Sequence, residues 1–227
     1  MALLNNPAVA TLVHGVFRLT SRCRFLGIDR LPAGPFVLAA PHRSHYDPVV
    51  IGALLRREID WLARDEFYRT TAARWACQHA GCVRLDRYGD ALPAVREAVR
   101  RLRDGRVVGV FPEGEIRRGG ASVLRGGPVR GGAAVLARRG AAHGNGVPRV
   151  PCVGVGSEQL GRVVPWLPLR AGRLWIGIGE PIAVPADLPA GRAGRRVLTE
   201  RMGVGLRGVM SEMEQAFDLP GAGGVSA

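Results

Sequence analysis

Two imidazoles, a hydroxyl, a guanidinium and a carboxylate lie within seven consecutive residues, PHRSHYD at positions 41–47. His42 and Asp47 are five residues apart, and in a loop that bends into a helix the Asp47 carboxylate can reach back to one ring nitrogen of His42. A carboxylate in that place fixes the tautomer of the ring and stabilises the imidazolium, so the second nitrogen can take a proton from a hydroxyl. A plainer interpretation has Asp47 only as a helix N-cap and His42 on a surface loop. A metal held by His42, His45 and Asp47 is disfavoured, because three ligands are awkward to arrange within one tight turn.

A second charged stretch, FPEGEIRR at positions 111–118, follows an apolar run. Its carboxylates are Glu113 and Glu115, and its guanidiniums are Arg117 and Arg118. An arginine fork binds two phosphate oxygens at once, so the stretch is suited to a phosphate group. A solvated charged turn is the alternative.

A third stretch, GCVRLDR at positions 81–87, ends in Asp86 and Arg87. Taken alone it is a weak signal, since a local ion pair between these two residues explains it equally well.

The elements that must position these stretches alternate between strand and helix. Asp47 as N-cap and Pro48 as first residue predict a helix start directly after the first stretch. Strands are predicted at about 24–28, 36–40, 60–64, 82–85, 106–111, 149–155 and 173–178, and helices over the first 18 residues, from 47, and at 65–79, 90–103, 133–139 and 195–217. A glycine-rich loop is predicted at 118–132. The alternation predicts an α/β fold with a mostly parallel central sheet flanked by helices, whose sites form where strands end.

Composition limits both the chemistry and the partners. All 32 basic residues of the 227 are arginine, which excludes a Schiff-base lysine and a Walker-type phosphate loop. Residues 1–150 carry a net charge of +12 (24 Arg, 12 acids) and the remainder +1 (8 Arg, 7 acids), so the partners expected are anionic: phospholipid, coenzyme A or nucleic acid. The four cysteines are too sparse for a disulfide scaffold, and a zinc site at Cys77 and Cys82 lacks a second ligand pair. A reduced, cytosol-facing protein is therefore expected.

The three stretches, in this order, resemble the motifs of the glycerolipid acyltransferase family, of which 1-acylglycerol-3-phosphate acyltransferase is typical. The resemblance covers about residues 22–180. The matching positions are His42 and Asp47, the block 81–87, the residues 111–114 with Arg117, the pair Arg130-Gly131 and the pair Val150-Pro151. Two positions depart from the family pattern: Ile116 stands where arginine is usual, with Arg117 one place later, and Glu115 replaces the usual threonine.

The resemblance implies an α/β acyltransferase that uses no cofactor and no metal. The implied reaction moves a fatty acyl group from acyl-coenzyme A or acyl carrier protein to the hydroxyl of a lysophospholipid, foremost 1-acylglycerol 3-phosphate, giving phosphatidic acid. His42 would be the general base and Asp47 would orient it. The implied substrate-binding residues are Glu113, Gly114, Arg117, Arg118, Arg87, Gly81 and Arg130.

The chain organisation expected is a helix at 1–21, an acyltransferase domain at 22–218 and a disordered tail at 219–227. No stretch approaches 18 uninterrupted apolar residues, so the predicted location is peripheral, on an anionic membrane surface at its cytoplasmic face, with the first helix as a possible interface anchor. Other acceptors stay open, namely glycerol 3-phosphate, another lysophospholipid, or an amino- or glycolipid. A non-catalytic module that binds anionic lipid or nucleic acid is the rival, although no nucleic-acid-binding motif is present and specific nucleic acid is not expected.

Overall fold

Seven strands form one sheet in the computed structural model of the chain, which describes residues 7–68, 71, 74–75, 77, 81–86, 90–139, 146–162, 172–185 and 187–219. The strands of these residues, in chain order, are β1 (Ser21–Leu26), β2 (Val37–Ala39), β3 (Ile59–Arg64), β4 (Val83–Leu85), β5 (Val107–Val110), β6 (Arg149–Val155) and β7 (Gly172–Ile178). Their order across the sheet is β1-β7-β6-β2-β5-β3-β4, and β6 with β7 is its antiparallel pair. The predicted mostly parallel α/β sheet is confirmed.

Helices cover both faces of this sheet. They are α1 (Pro7–Thr20), α2 (Asp47–Leu55), α3 (Leu92–Arg103), α4 (Gly132–Arg139) and α5 (Gly191–Phe217). Side chains alternate along β2, so Val37 packs with Leu102 of α3 and Met202 of α5, whereas Leu38 packs on the other face with Ile51 of α2. None of the helices in the described part of the chain is long and apolar enough to cross a membrane.

The central strands are short, apolar and buried along their whole length, as strands covered on both faces are. Ala39 at the end of β2 is level with Val110 at the end of β5 and with Pro151 of β6. Because these three strands are parallel, the segments that follow them leave the same edge of the sheet. The stretches 41–47 and 111–118 are therefore neighbours.

Several predicted bounds needed correction. β1 begins at Ser21, directly after α1, and α5 begins at Gly191, four residues before the predicted start at 195. Glycine is a poor helix former, and Gly191 and Gly194 hid the first turn of α5 from the sequence pattern. Residues Asp65–Tyr68 form a 3-10 turn, and much of the predicted helix at 65–79 lies outside the described residues, as does the tail from 220.

Candidate active site

His42 and Asp47 meet at the carboxyl edge of the sheet, in the loop between β2 and α2. The Nδ1 atom of His42 lies 3.1 Å from Oδ2 of Asp47, and both side chains are largely buried. The same Oδ2 accepts the backbone N–H groups of Arg43 at 2.7 Å and Ser44 at 2.9 Å. The loop therefore folds around the carboxylate, and the contact expected from the five-residue spacing is present.

The N-cap role predicted for Asp47 is wrong. Asp47 is the first residue of α2, and Tyr46 is its N-cap, because the Tyr46 carbonyl accepts the N–H of Val50 at 2.9 Å. The Asp47 side chain turns back into the preceding loop, where it accepts the N–H groups of Arg43 and Ser44. Its hydrogen bonds thus serve the loop and His42.

A column of aromatic rings supports the imidazole of His42. The His42 ring stacks on Phe111 with 4.1 Å between centroids, and Phe111 stacks on Trp61 of β3 at 4.5 Å. Gly109 of β5 leaves room for the column, since a Cβ there would lie 2.5 Å from the Trp61 ring. Asp47 at Nδ1 and Phe111 on one ring face hold the imidazole so that Nε2 is the nitrogen available to a reactant.

Glu113 is a buried carboxylate that ties three segments together. It accepts the backbone N–H of His42 at 2.8 Å through Oε2, and the Ser122 hydroxyl at 2.8 Å and the Val123 N–H at 2.7 Å through Oε1. Glu113 as a whole is 0% exposed to solvent. Through these contacts Glu113 holds the loop at 41–47, here called the site loop, against the glycine-rich segment at 118–132.

Gly114 and Arg130 shape the turn that follows β5. Gly114 has φ of 72°, and a Cβ on it would lie 2.8 Å from Nε of Arg130. The Arg130 backbone N–H donates to the Pro112 carbonyl at 2.7 Å. Arg130 therefore lies directly along the turn, and a side chain at position 114 would displace it.

Arg117 is held beside His42 by its own backbone, whose N–H donates to the His42 carbonyl at 3.2 Å. Its Nη2 pairs with Glu115 at 2.9 Å, whereas its Nε is buried and has no hydrogen-bond partner among the described residues. Arg118 follows as an exposed residue. The structure thus brings Arg117 to His42 even though it stands one position later than the family pattern.

Gly81 is the candidate residue that the structure does not bring to His42. It precedes β4 at the opposite, amino edge of the sheet, where a Cβ would lie 3.0 Å from Oδ1 of Asp60 and its carbonyl accepts Arg101. Asp60 also pairs with Arg106, and burial raises the pKa of Asp60 against the lowering effect of the two arginines. Gly81 therefore lies against the buried cluster of Asp60, Arg101 and Arg106. Arg87 lies outside the described residues.

Sequence reasoning missed Ser157, which follows β6 at the same edge. Its hydroxyl donates to Oδ1 of Asp47, and both residues are 2% exposed. The adjacent Glu158 pairs with Arg43 at 2.7 Å. The sequence offered a weak signal, because Ser157 and Glu158 follow Gly156 at the end of an apolar strand, but nothing in it indicated Asp47 as the partner.

Among the described residues, no group of three or more His, Cys, Asp or Glu side chains is arranged to bind a metal ion.

Comparison with known proteins identifies the family of the chain. The family profile described as Acyltransferase matches residues 22–155, more than half of the chain. The 1-acyl-sn-glycerol-3-phosphate acyltransferase of Bacillus subtilis (strain 168) is 25% identical over an alignment of 191 residues, and the match covers 82% of this chain and 87% of that protein. The crystal structure of the 1-acyl-sn-glycerophosphate acyltransferase PlsC from Thermotoga maritima shares the fold, with a TM-score of 0.61 and 22% identity over 90% of this chain and 79% of that one. The chain therefore belongs to the acyltransferase family and is an enzyme that transfers acyl groups.

Proposed function

We propose that this enzyme transfers a fatty acyl group from a thioester donor, acyl-coenzyme A or acyl carrier protein, to the hydroxyl of 1-acylglycerol 3-phosphate, giving phosphatidic acid. The observation that carries the proposal is the buried pair of His42 and Asp47, 3.1 Å apart, with the Arg117 backbone hydrogen-bonded to His42. A base and a phosphate-binding cation are the two groups that this acceptor needs. The name of the Bacillus subtilis relative supports the same acceptor.

In the proposed reaction, Nε2 of His42 takes the proton of the acceptor hydroxyl as its oxygen attacks the thioester carbonyl. The new carbon–oxygen ester bond forms, the carbon–sulfur bond breaks, and the leaving thiolate receives the proton from His42. Asp47 stabilises the imidazolium that exists between the two proton transfers. No covalent enzyme intermediate is required.

Arg117 is the residue proposed to bind the acceptor phosphate. Its side chain remains 23% exposed beside His42, so the guanidinium can form a charge-assisted hydrogen bond with a phosphate group at the site. Arg118 and Arg130 add positive charge along the same turn, while Glu113 and Gly114 give the turn its shape. Arg87, outside the described residues, stays a predicted contact.

Replacing Arg117 with alanine tests the phosphate contact. The KM for 1-acylglycerol 3-phosphate should rise at least about 10-fold, because a charge-assisted hydrogen bond is worth about 1.5–3 kcal/mol. The KM for monoacylglycerol, which lacks the phosphate, should change less than about 2-fold, because Arg117 has no group to bind on that acceptor. Arg125→Ala, which removes an exposed arginine of the glycine-rich segment that follows, is the matched control. An unchanged KM for the phosphate acceptor in Arg117→Ala would reject the contact.

A different acceptor is the second candidate, and one contact favours it. Glu115 pairs with Nη2 of Arg117 and so offsets part of the charge that would attract a phosphate. A lysophospholipid without a phosphate monoester, or an amino- or glycolipid, would then take the same chemistry. Glycerol 3-phosphate carries that monoester, so this contact does not favour it, and it stays in the comparison as an alternative acceptor. A panel of these acceptors, tested with both donors, decides the matter. Transfer only to an acceptor without a phosphate monoester would be consistent with His42 as the base and Asp47 as its partner. It would reject Arg117 as a phosphate-binding residue.

Attachment to an anionic membrane surface, on the cytoplasmic face, is proposed to use α1. Phe17 and His14 hold α1 on the domain: Phe17 is buried, and Nδ1 of His14 lies 3.0 Å from the Ala53 carbonyl. On the outer side, Leu12 and Leu19 are seven residues apart, hence on one stripe, and are 67% and 89% exposed. This exposed apolar stripe suits a helix that lies in the membrane interface.

Vesicle binding tests the role of α1. Leu12→Ser with Leu19→Ser should weaken sedimentation with phosphatidylglycerol vesicles at least about 10-fold, since two leucine side chains lose burial worth about 1.5–3 kcal/mol each. Val204→Ser removes an apolar side chain that is 62% exposed on α5 and is the matched control. Equal binding of the double variant and the control would exclude α1 as the anchor.

A further inference from the structure

We propose that Ser157 is a positioning residue for the His42–Asp47 pair, holding the Asp47 carboxylate so that Oδ2 faces Nδ1 of His42. The inference rests on the function proposed above. It adds a hydroxyl from the segment after β6 to a site otherwise formed by the segments after β2 and β5.

The two oxygens of Asp47 are held from different directions. Oδ2 lies beside His42 and accepts two backbone N–H groups of its own loop, those of Arg43 and Ser44. Oδ1 accepts the Ser157 hydroxyl, which comes from 110 residues further along the chain. The terminal torsion of an aspartate is broad, so contacts at one oxygen leave the carboxylate plane free to rotate. The Ser157 hydroxyl removes that freedom.

The segment that carries Ser157 is itself well fixed. Gly156 has φ of 101°, and a Cβ on it would lie 1.8 Å from the Arg173 carbonyl, so only glycine allows this turn out of β6. Glu158 accepts the Gly156 N–H at 3.1 Å and pairs with Arg43 of the site loop at 2.7 Å. Ser157 therefore sits between a backbone turn and an ion pair that both hold it against Asp47.

Removing the hydroxyl should affect the chemical step and leave acceptor binding intact. Ser157→Ala is expected to lower kcat about 10-fold and to change the KM values less than 2-fold, since a misaligned carboxylate weakens the base without touching the acceptor. Ser157→Thr, which retains the hydroxyl, should recover kcat to within about 3-fold of the wild type. Ser21→Ala, a buried serine of β1 whose hydroxyl has no partner in the described residues, is the matched control.

A double-variant cycle tests whether Ser157 acts through Asp47. In an Asp47→Asn background, Ser157→Ala should lower kcat less than about 2-fold further, because the group that it positions is already gone. The proposal would be overturned if the kcat loss of the double variant equalled the product of the losses of the two single variants. It would also be overturned if the kcat of Ser157→Ala stayed within 2-fold of the wild type. Thermal melting of each variant separates loss of alignment from loss of fold.

A proton spectrum separates this proposal from the proposed function, because it needs no turnover. The Nδ1–H of His42, hydrogen-bonded to Asp47, should give a downfield resonance that His42→Ala removes and Ser157→Ala shifts or broadens. An unshifted resonance in folded Ser157→Ala would reject the positioning role even if the enzyme is active. A shifted resonance in a protein that transfers no acyl group would instead uphold the positioning role and reject the proposed function.

Discussion

Replacing Glu113 with alanine should lower the free energy of unfolding, because the buried carboxylate holds the candidate active site together through hydrogen bonds. The carboxylate holds the His42 N–H, the Ser122 hydroxyl and the Val123 N–H at 2.7–2.8 Å, and it is 0% exposed. A hydrogen bond to a charged group contributes about 1.5–3 kcal/mol, so three set an upper limit of roughly 4.5–9 kcal/mol. Relaxation of the loop and entry of water reduce the expected loss to about 3–5 kcal/mol.

Thermal unfolding followed by circular dichroism measures this loss. In a protein of this size, each 1 kcal/mol lowers the Tm by about 2–4 °C, so Glu113→Ala should melt about 6–20 °C below the wild type. Glu113→Gln keeps one acceptor oxygen but turns an amide N–H₂ towards a backbone N–H, and should cost about 1–3 kcal/mol.

Glu115→Gln is the control for Glu113, because it removes a half-exposed carboxylate two residues away whose ion pair contributes about 0–1 kcal/mol. A Glu113→Ala protein that melts within 2 °C of the wild type and shows only a raised KM would refute the reasoning. Glu113 would then be a substrate contact, as the family resemblance implied.

Two further substitutions test the packing under His42 and the electrostatics of α3. Gly109→Ala should cost about 1–3 kcal/mol and lower kcat, because the new Cβ would lie 2.5 Å from the Trp61 ring and displace the aromatic column; a wild-type Tm and kcat would contradict this. Hydrogen bonds from Arg100 and Arg101 lower the pKa of Glu97 to about 2, so Glu97 stabilises the fold above its ordinary pKa of 4.5 and loses that effect as the pH falls towards 2. Since the Glu97 side chain is 35% exposed, the effect should be about 0–1 kcal/mol. Urea unfolding of wild type and Glu97→Gln should therefore differ most near pH 7 and converge near pH 2, whereas a difference that grows in acid would reject the assignment.

The fold was predictable because the signals for it are local. The buried strands β2 and β5 are short apolar runs, and a polar residue stands three positions after the end of each, His42 after β2 and Glu113 after β5. That pattern predicts a mostly parallel sheet, which the structure confirms, and it predicts a site at the carboxyl edge, where His42 and Asp47 lie. The contact of His42 with Asp47 was predictable for the same reason, since only five residues separate the two.

The remaining contacts of the site were not predictable, because they join residues far apart in the chain. Glu113 meets His42 across 71 residues and Ser157 meets Asp47 across 110, and no spacing in the sequence encodes either contact. The N-cap assignment of Asp47 failed for a different, local reason, since the N–H groups of Arg43 and Ser44 in its own loop donate to its carboxylate. Gly81 matches a family motif, yet its position beside Asp60 shows a role in the fold.

The most direct test of the proposed chemistry is acyl transfer by His42→Ala beside His45→Ala, the exposed histidine of the same loop. Radiolabelled palmitoyl-coenzyme A, and then palmitoyl acyl carrier protein, would be the donor, with 1-acylglycerol 3-phosphate as acceptor and thermal melting as the check on folding. A positioned general base contributes about 10²–10⁴-fold, so His42→Ala should lose at least about 100-fold in kcat while His45→Ala stays within a few-fold of the wild type. A folded His42→Ala protein that transfers acyl groups within 10-fold of the wild-type rate would contradict the role of His42 as the base.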